Sequence, residues 1–110
     1  MVTYIPDRGD LVWLQFNPRS GHEQFGRRPA LTISPKAYNQ KVGLAIFCPV
    51  TSQEKGYPFE VEIKEEKIQG AILADQVKSL DWRKREVQFI TKAPSKVIND
   101  VIELLSTLVF

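Results

Sequence analysis

Short apolar runs recur along most of this chain, and each has the length of a β-strand. Residues 59–63 alternate apolar and acidic side chains with a period of two, which is typical of a strand with one face in water. Residues 43–50 form an apolar run with the look of a central strand, and residues 70–74 are a candidate for a buried strand. The predicted strands are residues 11–16, 30–33, 43–50, 59–63, 70–74 and 87–90.

The pattern changes after Pro94, where apolar residues begin to recur at helical spacing. Pro94 is acceptable in a first helical turn, so the helix is predicted to begin near it. Strands without alternating helices favour a small curled sheet or barrel with one helix packed on it. We therefore predict a mainly β fold with a C-terminal helix, in one domain spanning residues 1–110. The helical stripe consists of Val97, Ile98, Val101, Leu104, Leu105 and Leu108.

A polar loop between the first two predicted strands carries the most distinctive chemistry. It brings together an imidazole, a carboxylate and two guanidinium groups, from His22, Glu23, Arg27 and Arg28. Metal-free cleavage of a phosphodiester needs a group that deprotonates a hydroxyl and a cation that neutralises charge on phosphate. We therefore predict an active-site loop.

Each loop residue has a possible role and an ordinary alternative. Glu23 is a candidate general base for a ribose 2′-hydroxyl, or a solvated carboxylate paired with a neighbouring arginine. His22 is an alternative base or acid, because its ordinary pKa lies near neutrality, or it is simply an exposed loop residue. Arg28 precedes Pro29, which favours an extended backbone and a preorganised guanidinium for the transition state; its ordinary alternative is a surface arginine. Arg27 is the weaker candidate and is expected to hold substrate.

Two later segments carry further candidate polar groups. Thr51, Ser52 and Gln53 follow an apolar strand and either bind phosphate or a base edge, or simply form a turn. Lys78 and residues 82–85 interleave cations with Trp82. This pattern suits either stacking of single-stranded bases or an aromatic side chain at the edge of the core.

The amino-acid composition limits which kinds of binding site and which cellular location are expected. A net charge of +2 is too small for binding nucleic acid by charge alone. The single Cys48 lies in an apolar run and is predicted to be a buried, inert thiol. With one Cys and one His the chain lacks zinc-ligand spacing, so no metal and no cofactor are expected. No signal or membrane-spanning segment is recognised, which predicts a cytoplasmic protein.

Five segments, in order along nearly the whole chain, together resemble the MazF/PemK family of toxin endoribonucleases. The KGYPFEV segment points to the MazF branch. The segments are GDLVW at 9–13, GHEQFGRRPA at 21–30, PVTSQ at 49–53, KGYPFEV at 55–61 and LADQVKSLDWR at 73–83.

The resemblance implies a small SH3-like β-barrel with a C-terminal helix, active as a homodimer. The family acts as the toxic half of bacterial toxin–antitoxin pairs and cuts single-stranded RNA, chiefly mRNA, without metal. The products are a 2′,3′-cyclic phosphate and a 5′-hydroxyl. The implied partner is a MazE-like antitoxin, acidic and partly disordered, which wraps the dimer in a heterohexamer-type complex. Operator DNA would be bound only through that antitoxin.

Carried over by position, the family's catalytic residues fall on Glu23, Arg28 and Thr51. A related branch uses a histidine at the position of His22 with a later arginine and aspartate, but Leu73 stands where that arginine would be. The Glu23 set is therefore favoured, although the choice of base between Glu23 and His22 stays open. The predicted substrate-binding residues are His22, Gln24, Arg27, Ser52, Gln53, Asp75 and Lys78.

Two other functions remain alternatives to RNA cleavage. A toxin of the same barrel fold, as in CcdB-like proteins, would poison DNA gyrase by binding alone. A plain SH3-like module would expose an aromatic groove for proline-rich peptides, whereas Trp13 has the pattern of a buried strand residue. The recognised RNA sequence is not determined by these motifs, although related toxins with similar motifs often cut at ACA.

Overall fold

The computed structural model describes residues 3–16 and 26–110. Seven strands and two helices lie in this part of the chain. The strands are β1 (Asp10–Gln15), β2 (Arg27–Thr32), β3 (Ala45–Thr51), β4 (Glu60–Lys64), β5 (Gln69–Leu73), β6 (Lys78–Leu80) and β7 (Gln88–Lys92). The helices are α1 (Lys36–Val42) and α2 (Ser95–Val109), with one 3₁₀ turn at Ala74–Gln76.

All the strands pair antiparallel in one curled sheet of order β4-β5-β3-β2-β1-β7. The sheet bends at β3, because this strand pairs with β2 and β6 along most of its length and with β5 only at its end. The result is a half-barrel with a C-terminal helix, which confirms the predicted mainly β fold.

Two hydrophobic clusters lie on opposite faces of the central strands. Leu11 and Cys48 point into the larger cluster, which α2 covers, whereas Val12 and Phe47 point into the smaller one. This alternation follows from the period of two along a strand. Cys48 is fully buried, which confirms the predicted burial, and burial raises the pKa of its thiol to about 12, as expected of an unreactive thiol.

Helix α2 matches the predicted helix, and its apolar stripe packs against the larger cluster as far as Leu105. Leu108 was predicted to belong to this stripe, but it is exposed and does not contact the cluster. Pro94 stands at the N-cap with an extended backbone rather than inside the first turn. No helix in the described ranges is long and apolar enough to cross a membrane.

Helix α1 and the short strand β6 were absent from the sequence prediction. Asn39 is the one buried residue of α1, so this helix has no apolar stripe to recognise. Gly43 ends α1 in the left-handed region at φ +82°, and β3 therefore begins at Ala45 rather than at residue 43.

Trp82 occupies the smaller cluster and is 1% exposed. Its indole N–H donates to the Asn39 carbonyl at 3.1 Å, and the Arg83 guanidinium lies 4.8 Å from its ring centre. The interpretation of residues 82–85 as a base-stacking surface is therefore wrong for Trp82, because no face of the ring is open to a base.

Candidate functional site

The two arginines of the predicted loop stand at the start of β2, where it pairs with the end of β1. Arg27 lies opposite Gln15 and Arg28 opposite Leu14. The Phe16 N–H donates to the Gly26 carbonyl at 2.6 Å, which extends the pairing by one step. Arg28 is thus part of a strand, as its position before Pro29 predicted. His22, Glu23 and Gln24 lie outside the described residues.

A groove of about 490 Å³ opens beside Arg28, and we call it the main groove. Four chain segments line it: β1 through one residue, the start of β2, the end of β3 with the residues after it, and the connection from β4 into the start of β5. Its lining residues are Trp13, Arg27, Arg28, Pro29, Val50, Thr51, Ser52, Gln53, Lys67, Ile68 and Gln69.

Thr51 is the last residue of β3 and is held firmly on two sides. Its hydroxyl accepts a hydrogen bond from the Gln53 N–H at 3.1 Å. Its backbone pairs with Ala71, and Gly70 approaches it so closely that a Cβ at residue 70 would overlap the Thr51 carbonyl oxygen. A threonine hydroxyl is thereby fixed in the groove that Arg28 also lines.

The two neighbouring arginines, Arg27 and Arg28, differ in whether other protein groups hold their guanidinium groups. Arg27 donates to the Glu86 carbonyl at 3.3 Å and to the Gln88 side-chain oxygen at 2.6 Å, so β7 and the turn before it hold its guanidinium. Arg28 is exposed, and its side chain makes no hydrogen bond or ion pair with any described residue. Of the two guanidiniums, that of Arg28 is therefore the one available to a bound anion.

A second groove of about 360 Å³ adjoins the first, and the two share Thr51 and Gln53 in their linings. Asp75 lies in this second groove, where one carboxylate oxygen accepts a hydrogen bond from the Tyr57 hydroxyl at 2.6 Å. This bond and the nearby negative charge raise the pKa of Tyr57. The other oxygen of Asp75 is buried and has no hydrogen-bond partner among the described residues.

The loop that carries Tyr57 is itself fixed. The carboxylate oxygens of Glu60 accept hydrogen bonds from the backbone N–H groups of Lys55 and Gly56, with nitrogen–oxygen distances of 3.1 to 3.2 Å. Lys55, Tyr57 and Glu60 all line the second groove. The two grooves together thus form a continuous surface whose carboxylates, Glu60 and Asp75, lie in the second groove, whereas cations line both grooves.

The structure brings most of the predicted and described site residues together. Arg27, Arg28, Thr51, Ser52 and Gln53 share the main groove, and Asp75 lies in the adjoining one. Lys78 lines neither groove, and its ammonium lies 5.6 Å from the centre of the Phe16 ring.

Several lining residues were missed by sequence reasoning. Trp13 has the pattern of a buried strand residue, yet it is only partly buried and borders the main groove beside its cross-strand partner Pro29. Lys67, Gln69 and Tyr57 lie far from the polar loop in the sequence. No local signal identifies them, because strand register alone brings them to the site. No group of three or more His, Cys, Asp or Glu side chains within the described ranges is arranged to hold a metal ion.

Comparisons with known proteins agree with one another. Residues 7–109 match the family described as PemK-like, MazF-like toxin of type II toxin–antitoxin system. The endoribonuclease toxin MazF of Escherichia coli K12 is 52% identical over 82 residues, which cover 74% of each chain. The endoribonuclease toxin ChpB of the same strain is 33% identical over 109 residues, covering 94% of this chain and 93% of ChpB.

Solved structures of MazF proteins have the same fold as this chain. The crystal structure of MazF (Form-I) from Deinococcus radiodurans superposes with a TM-score of 0.88 and 51% identity, over 97% of this chain and 98% of that one. The MazE–MazF complex (Form-II) from that organism has a TM-score of 0.87 and 46% identity, over 97% of both chains.

Proposed function

This chain belongs to the PemK-like, MazF-like toxin family of type II toxin–antitoxin systems, and from that premise we propose how its grooves cut RNA. The protein is an endoribonuclease toxin, as its relatives MazF, PemK and ChpB are named. The gyrase-binding alternative is not supported, because these relatives are named for RNA cleavage.

The observation that carries the mechanism is the placement of Arg28 and Thr51 on one groove. The ribose 2′-hydroxyl attacks the adjacent phosphorus, and the bond to the 5′-oxygen breaks, which leaves a 2′,3′-cyclic phosphate and a 5′-hydroxyl. Arg28 neutralises the charge that builds on the phosphate oxygens, and the Thr51 hydroxyl donates to one of them. Glu23 or His22 removes the proton from the 2′-hydroxyl, and water supplies the proton that the departing 5′-oxygen takes up. We propose that this reaction uses no metal and no cofactor.

The remaining residues hold the RNA strand. Ser52 and Gln53 present a hydroxyl and an amide to phosphate or base edges in the main groove. The buried free oxygen of Asp75 suits an N–H donor on a base in the second groove. Trp13 offers a partly exposed ring for stacking. Additional contacts come from His22, Gln24, Arg27 and Lys78.

The MazE–MazF complexes from Deinococcus radiodurans support an antitoxin of the MazE class as the partner. We propose a cytoplasmic homodimer that an acidic, partly disordered antitoxin inhibits in a heterohexamer-type complex. Operator DNA is contacted through that antitoxin. One domain, residues 1–110, carries both activities of the toxin, RNA cleavage and antitoxin binding.

The test is incubation of antitoxin-free protein with a long single-stranded RNA in excess EDTA, followed by mapping of the new ends. Discrete cuts with cyclic phosphate ends are expected, and Arg28→Ala lowers the turnover by roughly 10²- to 10³-fold. Arg83→Ala is the matched control, because Arg83 lies over Trp82 and lines neither groove. Cleavage by Arg28→Ala at the wild-type rate would remove Arg28 from the mechanism.

A further inference from the structure

The main groove carries a cation that the mechanism above does not use, separated from Arg28 by the intervening strand β3. Lys67 lies in the connection between β4 and β5 and is exposed along the main groove. The ion pairs of the described residues engage Lys64, Lys92 and Lys96 but not Lys67. Its ammonium is therefore available to a ligand in the groove.

The backbone around Lys67 is fixed from both sides. Glu65 and Ile68 exchange two backbone hydrogen bonds, of 2.9 and 3.3 Å, which close a tight turn. The Ile68 side chain is buried in the larger hydrophobic cluster, and Gln69 begins β5 opposite Lys64. Lys67 thus projects from an anchored hairpin, and a contact made by this residue costs little ordering of the backbone.

The charge of the groove lining is one-sided. Its charged residues are Arg27, Arg28 and Lys67, and none of the described residues that line it is acidic. β7 and its preceding turn hold Arg27, which leaves Arg28 and Lys67 as the other two cations of the lining. Arg28 belongs to β2 and Lys67 immediately precedes β5, so they lie on either side of β3, which stands between β2 and β5 in the sheet. A volume of about 490 Å³ lies in the range of sites that hold a small organic molecule, which exceeds a single phosphate group.

We propose that Lys67 binds a backbone phosphate adjacent to the scissile one, so that the main groove holds two phosphates of the RNA from either side of β3. Lysine binds phosphate as a point charge, without the fork geometry of arginine. Lys67 therefore contributes affinity and register along the strand rather than stabilisation of the transition state. This inference rests on the proposed cleavage site at Arg28 and Thr51.

Steady-state kinetics on a short single-stranded RNA with one cut site test this role. Lys67→Ala raises KM by about 3- to 10-fold with kcat unchanged, because the lost contact is equal in ground and transition states. The slope of log(kcat/KM) against log salt becomes shallower by about 0.7, the value for one phosphate of a single strand. Lys67→Arg restores most of the affinity.

Lys64→Ala is the matched control, because Lys64 lies in the same hairpin, pairs with Glu62 and lines neither groove. It leaves KM and the salt slope unchanged. An unchanged KM and slope in Lys67→Ala, or equal changes in Lys64→Ala, would overturn the proposal. Thermal unfolding of each variant shows whether the hairpin remains folded.

A binding experiment separates this inference from the cleavage mechanism. The probe is the same oligonucleotide with a 2′-deoxy nucleotide 5′ of the cut, which prevents attack, and with one flanking phosphate replaced by a neutral methylphosphonate. At one flanking position the replacement weakens binding to the wild type but not further to Lys67→Ala. Equal weakening of both proteins at every flanking position contradicts the Lys67 contact, whereas intact binding without any cleavage of all-ribose RNA contradicts the cleavage mechanism.

Discussion

At the scale of single residues, neighbours in the sequence have different tasks because their side chains meet different surroundings. Arg27 and Arg28 are adjacent and chemically identical, yet Gln88 and the Glu86 carbonyl hold Arg27 while Arg28 stays open to the groove. Thr51 shows the same principle, since its hydroxyl both orients the following turn and faces the groove. Whether other protein groups already hold a side chain, more than its residue type, decides whether it can contact the substrate.

Thr51 gives a prediction at this scale. Thr51→Val keeps the shape of the side chain but removes the hydroxyl, so we expect kcat to fall by roughly 10²-fold with KM little changed. Loss of the hydrogen bond from the Gln53 N–H also lowers the free energy of unfolding by about 1 kcal/mol. Thr51→Ser retains the hydroxyl and most of the activity. A Thr51→Val protein with wild-type kcat would show that the hydroxyl has only a structural role.

At the scale of elements, the site is held by the contact between β3 and β5. These strands pair at Val50 and Thr51, beside the bend of the sheet, and Gly70 makes the close approach possible with φ +147°. One glycine in β5 therefore fixes the backbone of Thr51 in β3. Residues 67–69 continue the same chain along the groove, so this contact also places Lys67.

Gly70→Ala tests that contact. The new Cβ would overlap the Thr51 carbonyl oxygen and would also demand an unfavourable backbone conformation, so we expect a loss of about 2 kcal/mol or more in the free energy of unfolding. RNA cleavage falls as well, because Thr51 must move. Gly43→Ala is the control: it has φ +82° but no atom within 4 Å of a new Cβ, so only the backbone strain of about 1 kcal/mol remains. Urea unfolding compares the two, and equal losses would mean that steric overlap at Gly70 contributes nothing.

At the scale of the whole molecule, the two hydrophobic clusters are joined through shared strands. Successive residues of β1, Leu11 and Val12, enter different clusters, and Phe47 and Cys48 of β3 do the same. Neither cluster can lose these strands without disrupting the other. The described part of the chain is therefore expected to unfold as one cooperative unit.

The two tryptophans make this prediction measurable. Trp82 lies inside the smaller cluster and Trp13 packs against the larger one. In a Trp82→Phe variant the remaining tryptophan fluorescence reports Trp13, and its urea midpoint is expected to coincide with the midpoint from far-UV circular dichroism of the same variant. Trp13→Phe provides the reciprocal measurement. Separate midpoints within either variant would show that the clusters unfold independently.

Much of this architecture was predictable because the strongest patterns are local. The alternation of acidic and apolar residues at 59–63 predicts β4, and the apolar stripe after Pro94 predicts α2. Burial of one face of a strand or helix requires apolar residues at the spacing of that element, so the spacing is visible in the sequence. Helix α1 escaped prediction because its buried residue is the polar Asn39, which bonds to Ser34 and to the Pro6 carbonyl. Such a residue leaves no apolar signature.

The sequence by itself determined the mainly β fold with its terminal helix, the family, and the residue types that the chemistry needs, because local periodicity and ordered motifs are properties of the linear chain. Only the tertiary structure decided that Trp82 is sealed in a core, that β7 and its preceding turn hold Arg27, and that Lys67 faces the groove of Arg28. These facts depend on strand register and on contacts between residues distant in sequence. A short stretch of sequence does not indicate which distant residues pack against it.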